Sequence, residues 1–308
     1  MATVEIPPAL ARNAIGAWGA EGRRWLAELP ERVAAVAREW GLDIGAPFAE
    51  LSYHWVVAAT AADGTPAVLK LGPPEPGHLA VEAAALAAFG GCGAVRLLAY
   101  DAVRGALLLE RAEPGSLART LVPQRDEAAT AAVIGVLRRL HSPVPAGAPD
   151  LPDLTTQGAS FDGYLRRYPG AGPLPRRLVA QAGRLFEELC ASAPHRVVLH
   201  GDLHHDNVLR AAREPWLAID PHGVVGDPGY DTGSLLFNPD PDRCDDGLLA
   251  LVPARVEQVA DGLDLPADRV VAWGFVKAVL SEVWTTEGDG TPGGRALDVA
   301  LHLLPRLP

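Results

Sequence analysis

One segment, residues 197–231, constrains the fold of this chain more than any other part of the sequence. It reads VVLHGDLHHDNVLRAAREPWLAIDPHGVVGDPGYD, and its first apolar strand ends at the tripeptide HGD, which contains Asp202. Asn207 follows five residues after Asp202, and a second apolar strand delivers Asp220 thirteen residues after Asn207. This order of strand, polar loop and strand predicts that the three side chains converge on one position.

Transfer of a phosphoryl group from ATP is a reaction that needs such a set of carboxylate and amide side chains. It requires few protein groups, but these must stand in fixed relative positions. A carboxylate must accept or orient the proton of the attacking hydroxyl, and oxygen ligands must hold Mg²⁺, which is a hard cation. Asp202 can serve as the catalytic base, while Asn207 and Asp220 can ligate the metal. The spacing matches the kinase template H-x-D-x-x-x-x-N followed by a metal-binding aspartate.

Zinc is an alternative for the same segment, because His200 and His204 are four residues apart. Zinc catalysis of the H-E-x-x-H type needs two histidines on one helix, together with a general-base glutamate. The segment offers neither a helix nor that glutamate, so the sequence favours magnesium.

Apolar periodicity divides the chain into two parts that meet near residue 112. The predicted elements are strands over 52–60, 67–71, 95–100, 106–110, 197–199 and 216–219, and helices over 21–40, 78–89, 126–141, 174–191, 245–261 and 267–284. The first part should form a small, mostly antiparallel sheet that carries one helix, and the second part should be mainly helical. Pro30 predicts a break within the helix over 21–40, or the start of a second helix.

The composition excludes several classes of protein. A net charge of −11 argues against a nucleic-acid-binding surface, because such a surface needs a basic stripe. The negative charge suits a cationic substrate. Acidity that only maintains solubility is an equally good explanation of this charge. Three cysteines far apart in the sequence argue against a disulfide framework. No signal peptide and no membrane-spanning stretch are visible, so we expect a cytoplasmic protein with no membrane partner.

The residues LHGDLHHDNVL and AIDPHGVVGDPGYD resemble the signature of the aminoglycoside phosphotransferases. The double-histidine form HGDLHHDN is most similar to the streptomycin phosphotransferase branch, which also includes enzymes implicated in hydroxyurea phosphorylation. The resemblance spans about residues 50–290 and, outside 197–231, consists mostly of the order of the elements. It implies an α+β, two-lobed protein-kinase-like fold, with a nucleotide-binding lobe over residues 1–112 and a helical lobe over residues 113–308 that carries the catalytic loop and the substrate pocket.

The same resemblance implies which residues hold the nucleotide. Lys70, in the strand AVLKL, matches the lysine that contacts the α- and β-phosphates, and a solvated strand lysine is the alternative. Lys70 and Lys277 are the only lysines of the chain, which favours a function for Lys70. Glu82, the only acid of the following helix, is its natural ion-pair partner, with an ordinary surface glutamate as the alternative.

Two further nucleotide contacts follow from the resemblance. The apolar strand over 107–109 leads into a segment that resembles the hinge between kinase lobes, where adenine would bond to the carbonyl of Glu110 and the N–H of Ala112. The first hairpin lacks the glycines that usually cover the phosphates, so Ser52 could offer its hydroxyl and its backbone N–H instead.

The remaining assignments concern support and substrate. An aspartate at the position of Asp231 accepts backbone N–H bonds from the catalytic loop of the kinase fold, and we assign Asp231 and His200 to structural support. Near the end of the last long helix, Glu282 and Glu287 could bind guanidinium or ammonium groups, and Trp284 could stack on a sugar or a cation. A solvated helix end explains these three residues equally well.

We therefore expect an ATP- and Mg²⁺-dependent phosphotransferase that acts on a hydroxyl of an aminoglycoside or aminocyclitol. Streptomycin is the leading substrate, with antibiotic resistance as the consequence. The alternatives are a kinase of hydroxyurea or of another small polar metabolite, and an inactive nucleotide-binding module. The inactive module is disfavoured, because the base, both metal ligands and the lysine are all present. The expected partner is a small cationic molecule.

Overall fold

The computed structural model describes residues 4–48, 51–72, 78–141, 150–240, 246–287 and 290–307. Its helices are α1 (Pro8–Trp40), α2 (His78–Phe89), α3 (Asp126–Leu140), α4 (Ala159–Arg167), α5 (Arg176–Ala191), α6 (Gly233–Phe237), α7 (Asp246–Leu249), α8 (Val252–Leu263), α9 (Ala267–Glu287) and α10 (Arg295–Leu303). Its strands are β1 (Leu42–Pro47), β2 (Trp55–Ala61), β3 (Pro66–Leu71), β4 (Leu97–Asp101), β5 (Ala106–Glu110), β6 (Pro114–Leu117), β7 (Val197–Leu199), β8 (Val208–Ala211), β9 (Trp216–Ala218) and β10 (Val224–Gly226). A small sheet precedes a mainly helical part, as the periodicity predicts.

The first five strands form one antiparallel sheet in the order β1-β2-β3-β5-β4. Strand β3 lies at its centre, where Lys70 pairs in register with Val56 of β2 and Leu107 of β5. Because side chains alternate across a strand, Leu69 and Leu71 pack against α1 while Lys70 faces the side that α2 covers. Lys70, the one lysine of the sheet, therefore lies on the face of the sheet that α2 covers.

Helix α1 departs from the sequence-based prediction. Its backbone is non-helical at Gly19 (φ 55°, ψ −117°), a conformation that glycine tolerates, whereas Pro30 lies inside the helix. The predicted break at Pro30 is therefore wrong. The apolar stripe that includes Trp25, Leu29 and Val33 is buried continuously past Pro30, and we infer that this packing outweighs the cost of the proline. Strand β1 was not predicted, because the sequence LDIGAP is half exposed and contains Gly and Pro.

The helical part is built around α9, which is buried along almost its whole length and packs against α5, α6 and α10. Strands β7 to β10, which lie between α5 and α6 in the sequence, form two small sheets: β7 pairs with β10, and β8 lies between β9 and the earlier strand β6. None of the described helices, α9 included, is long and apolar enough to cross a lipid bilayer. The lobe boundary near residue 112 stays a prediction.

A buried ion pair joins α3 to α8. Arg255 donates from Nη2 to Asp126 Oδ1 (2.6 Å) and from Nε to Oδ2 (3.0 Å). Its Nη1 donates to the carbonyls of Leu235 and Asn238, at the end of α6 (2.8 and 2.7 Å). This arginine therefore fixes the segment after α6 to the two long helices.

Candidate active site

The loop after β7 is held from behind by Asp231. The Asp231 carboxylate accepts the backbone N–H of His200 at Oδ2 (2.9 Å) and that of Gly201 at Oδ1 (2.7 Å), and His141 Nε2 lies 3.0 Å from Oδ2. Burial alone would raise the pKa of Asp231, but the bond to His141 and the loop amides outweigh burial and lower it. Asp231 therefore stays ionised inside the protein and fixes the backbone that leads to Asp202.

His200 joins the same loop to the end of β9. Its Nε2 donates to the carbonyl of Ile219 (2.8 Å), and its Nδ1 accepts the N–H of Asp202 (3.3 Å). Burial lowers the pKa of His200 to about 4, so the neutral imidazole makes both contacts. Gly201, between them, has φ +86°, and a Cβ there would lie 3.1 Å from the Cβ of His222, so a glycine is required.

Asp202 points into the cleft as a carboxylate. Ser234 Oγ donates to its Oδ1 (2.8 Å), and His204 Nε2 lies 3.6 Å from its Oδ2. Burial alone would raise the pKa of Asp202, but His204 and Lys277 outweigh burial and hold it well below its ordinary value. Burial also opposes protonation of His204, yet Asp202 and Asp206 raise the pKa of His204 to about 9. The carboxylate at 202 is therefore ionised and able to accept a proton or a hydrogen bond.

Asn207 and Asp220 lie together at the open end of the β8–β9 hairpin. The N–H of Ile219 donates to the carbonyl of Asn207 (3.0 Å), next to the pairing of β8 with β9. Asn207 Nδ2 donates to the backbone carbonyl of Asp202 (3.0 Å), so its Oδ1 is the atom that would ligate a metal. Asp220 has φ 59°, in the left-handed region, where the chain turns away from β9.

This donor set fits a magnesium ion. Carboxylate and amide oxygens are ligands that Mg²⁺ accepts, and Mg²⁺ is usually bound by one or two such groups together with water and substrate phosphates. Among the described residues, no group of three or more His, Cys, Asp or Glu side chains is arranged to hold a metal ion.

Lys70 bridges the sheet and the helical part. Its Nζ donates to Glu82 Oε2 (2.6 Å) on α2 and to Asp220 Oδ1 (2.6 Å). Burial alone would lower the pKa of Lys70, but Asp220 and Glu82 outweigh burial and raise it. Burial would also raise the pKa of Asp220, yet Lys70 lowers it strongly, whereas burial raises the pKa of Glu82 to about 7. The ammonium is permanently charged and stands beside the candidate metal ligand.

The predicted hinge has an unexpected support. The Glu110 carboxylate accepts hydrogen bonds from Arg213 Nε and Nη2 (both 2.8 Å), in the turn between β8 and β9. Arg213 also donates to the carbonyls of Gly91 (2.7 Å) and Ala94 (2.9 Å). Glu110 thus ties the two parts together through its side chain. The contact of adenine with the backbone of Glu110 and Ala112 stays a prediction.

Ser52 lies in the exposed turn that leads into β2. Its carbonyl accepts a hydrogen bond from Asn13 Nδ2 of α1 (3.0 Å), and Trp55 Nε1 donates to the carbonyl of Glu5 (2.9 Å). The N-terminal segment therefore holds this turn in place. The contact of Ser52 with the phosphates stays a prediction.

A cavity of about 420 Å³ opens beside Asp202. Its lining residues are Asp202, His204, Asp206, His222, Phe237, Asn238, Asp240, Lys277, Ser281 and Trp284. Arg119 bonds to both Asp206 (3.0 Å) and Asp240 (2.9 Å) and so fixes these two carboxylates in the wall. The volume lies within the range of pockets that bind small molecules. A small molecule would therefore fit beside the Asp202 carboxylate.

The structure separates the three candidate substrate residues. Trp284 lines the cavity, and its Nε1 donates to Ser160 Oγ (3.1 Å). Glu282 is buried, and its two oxygens accept the backbone N–H groups of Gly293 (2.8 Å) and Leu297 (3.1 Å) at the start of α10. Glu282 therefore caps a neighbouring helix, which corrects its assignment as a substrate ligand. Glu287 is exposed and is not among the residues that line the cavity.

Sequence reasoning missed four residues around Asp202, namely Ser234, Asp206, Asp240 and Lys277. Ser234 and Asp240 lie outside the recognised motif, and nothing in their spacing relates them to it. Lys277 did leave a signal, because it is a lone charge within the apolar run VVAWGFVKAVL of a lysine-poor chain.

A small antiparallel sheet joined to a helical part, with a buried lysine–carboxylate pair facing a loop aspartate, defines a small-molecule kinase of the protein-kinase-like fold. The family model described as "Aminoglycoside/hydroxyurea antibiotic resistance kinase" matches residues 44–290. The chain therefore belongs to this family, whose members are phosphotransferases that use ATP.

Relatives and a solved structure agree with this membership. The chain is 35% identical to a streptomycin 6-kinase of Streptomyces glaucescens, over 96% of this chain and 94% of that protein. It is 37% identical to a hydroxyurea phosphotransferase of Kitasatospora aureofaciens, over 99% and 87%. An aminoglycoside phosphotransferase of Streptomyces rimosus, solved with ADP and streptomycin, has a TM-score of 0.54 at 19% identity, over 82% of this chain and 97% of that one. The predicted fold class is confirmed.

Proposed function

We propose that this protein transfers the γ-phosphoryl group of Mg²⁺-bound ATP to a hydroxyl of streptomycin or a closely related aminocyclitol antibiotic, in the cytoplasm, and so confers resistance. The observation that carries the proposal is the cavity of about 420 Å³ that begins at Asp202. The carboxylates of Asp206 and Asp240 lie in its wall, where Arg119 holds both, and carboxylate oxygens are acceptors that suit the guanidinium groups of streptomycin.

In the proposed reaction each residue has one task. Lys70 would hold the α- and β-phosphates, and Asn207 and Asp220 would hold Mg²⁺, whose chemistry there would be to neutralise charge on the phosphates. Asp202 accepts a hydrogen bond from the acceptor hydroxyl and takes its proton, and Ser234 orients the carboxylate through its bond to Oδ1. Proton acceptance by a positioned carboxylate contributes on the order of 10²–10⁴-fold to the rate.

Hydroxyurea is the second candidate acceptor, because the relative of Kitasatospora aureofaciens is named for it. Hydroxyurea is uncharged and far smaller than streptomycin, so it would leave most of the cavity and the carboxylates of its wall without a contact. The size of the cavity therefore favours the larger acceptor.

Mass spectrometry separates the candidates. Purified protein is incubated with ATP and Mg²⁺ and either streptomycin or hydroxyurea, and we expect streptomycin to gain the mass of one phosphate. A gain on hydroxyurea alone would replace the proposal with the second candidate, and a gain on neither would contradict both. Asp202→Asn should bind ADP normally and lose turnover, and wild-type turnover in that variant would refute the role of Asp202.

The cationic character of the acceptor has its own test in Asp240→Asn. Asp240 has φ 58°, a conformation that Asn also tolerates, so the substitution removes charge without backbone strain. We expect a higher KM for streptomycin with an unchanged KM for ATP. An unchanged KM for streptomycin would contradict a role of the Asp240 carboxylate in binding it.

A further inference from the structure

Lys277 is a cation for which neither the motif nor the family assignment provides a role. The chain contains 27 basic residues, and only Lys70 and Lys277 are lysines. Both are buried, with 4% and 1% of their surface exposed. Since arginine is the usual cation of this chain, lysine at these two positions points to sites where a compact ammonium fits and a planar guanidinium does not.

The surroundings of Lys277 connect it to the catalytic loop. Its Nζ donates to the carbonyl of Gly201 (2.6 Å) and to the hydroxyl of Tyr230 (2.8 Å). The same nitrogen lies 4.2 Å from the centre of the Tyr230 ring and 5.0 Å from that of Trp284, within cation–π range. Lys277 also lines the cavity that begins at Asp202. An ammonium with three donors thus stands between the loop and the acceptor position.

The packing of α6 against α9 leaves room for this side chain. A Cβ at Gly233 would lie 2.5 Å from Lys277 Cβ and 2.9 Å from Lys277 Cγ, distances that no real side chain tolerates. Glycine at 233 therefore allows the lysine stem to pass under α6 and reach Gly201. Gly201, whose carbonyl accepts this bond, has a positive φ of 86°.

We propose that Lys277 is a positioning residue that fixes the Gly201–Asp202 turn through the Gly201 carbonyl and holds a buried positive charge beside the Asp202 carboxylate. Asp231 holds the loop by its N–H groups from one side, and Lys277 holds it by a carbonyl from the cavity side. The loop backbone is thereby held both by its N–H groups and by a carbonyl. This inference rests on the phosphotransferase activity, and not on which acceptor is used.

Lys277→Met tests the inference, because methionine keeps the length of the stem and removes the ammonium. We expect kcat to fall on the order of 10²-fold, as when one preorganised donor is removed from an active site. The KM for ATP and the Kd for ADP should stay unchanged. Hydrogen exchange at the amides of 201–203 should become faster, while exchange within α9 stays the same. A residue that only fills the core would change thermal stability without this split between kcat and nucleotide binding.

Three further variants define the role. Lys277→Arg keeps the charge but not the shape, and we expect it to lose kcat as well. Tyr230→Phe removes one partner and leaves the bond to Gly201, so kcat should stay close to that of the wild type. If Lys277→Met does not fold, Lys277→Gln keeps a donor for the Gly201 carbonyl while removing the charge, and a reduced kcat is again expected.

Transfer is measured with both streptomycin and hydroxyurea, together with hydrolysis of ATP by water. If the wild type phosphorylates neither acceptor, the proposed function fails, and ATP hydrolysis and hydrogen exchange still test Lys277. Wild-type kcat in Lys277→Met or in Lys277→Gln, or loss of ADP binding in parallel with kcat, would overturn the proposal. Wild-type kcat in Lys277→Arg would overturn the requirement for an ammonium.

Discussion

Substitution of Asp231 by Asn tests whether the catalytic loop depends on one buried carboxylate. The carboxylate accepts two hydrogen bonds at Oδ2, from His200 and His141, and one at Oδ1, from Gly201. An asparagine has only one acceptor oxygen. It keeps the most hydrogen bonds when that oxygen takes the Oδ2 position, because Oδ2 accepts two of the three bonds. Its NH₂ group then meets the N–H of Gly201, so two donors face each other in the core.

The cost has two parts. One buried N–H loses its partner, and two charge-assisted hydrogen bonds become neutral ones, which together amount to about 2–5 kcal/mol of unfolding free energy. A shift of the loop by a fraction of the distance between reacting atoms should also lower kcat on the order of 10–10²-fold.

Urea unfolding and steady-state kinetics measure the two effects, with Asp261→Asn as the control because Asp261 is exposed on α8. We expect the unfolding midpoint and kcat to fall in Asp231→Asn and to stay unchanged in the control. An Asp231→Asn protein that unfolds at the wild-type midpoint and turns over at the wild-type rate would refute this account of the loop.

Three other outcomes are expected. Arg255→Met should lower the free energy of unfolding by about 3–5 kcal/mol, because it leaves the Asp126 carboxylate buried without its partner; the double variant with Asp126→Leu should recover part of the loss, and equal urea midpoints in wild type and Arg255→Met would contradict this. In a Cys244→Ser background at pH 8, a thiol reagent should label the exposed Cys92 much faster than Cys190. Burial raises the pKa of Cys190 to about 12, and only the thiolate reacts. Similar labelling rates of the two cysteines would contradict this expectation. Chelation of Mg²⁺ should stop phosphoryl transfer, and restored Mg²⁺ should recover it; transfer that persists in excess chelator would contradict the metal-dependent mechanism.

Local motifs were predictable because their geometry is set within a short stretch of chain. Asp202, Asn207 and Asp220 lie within one loop and one hairpin, so the order of the strands is enough to bring them together. Lys70 bonds to Asp220 across 150 residues, and only the resemblance to a known family placed Lys70 in the site. The longer helices and most strands followed from periodicity because their apolar faces are continuous, whereas α4, α6 and α10 were not predicted.

The residues that sequence reasoning missed depend on packing between distant elements. Lys277 meets Gly201 and Tyr230 across 76 and 47 residues, and helical periodicity gives no account of a lone charge in a buried helix. Glu282 was assigned to the substrate because a carboxylate near a helix end is free to bind a cation. The amides that occupy it belong to the start of α10, a helix that the sequence did not predict.

The bonds of Arg213 have a consequence for how the cleft can move. This side chain joins the carboxylate of Glu110 to the carbonyls of Gly91 and Ala94, and its own backbone belongs to the β8–β9 turn. The segments that meet there are therefore fastened at several points. Opening of the cleft to a substrate would then be a tilt about these bonds. The rate of product release would then depend on the bonds of Arg213, although Arg213 lies away from the reacting atoms.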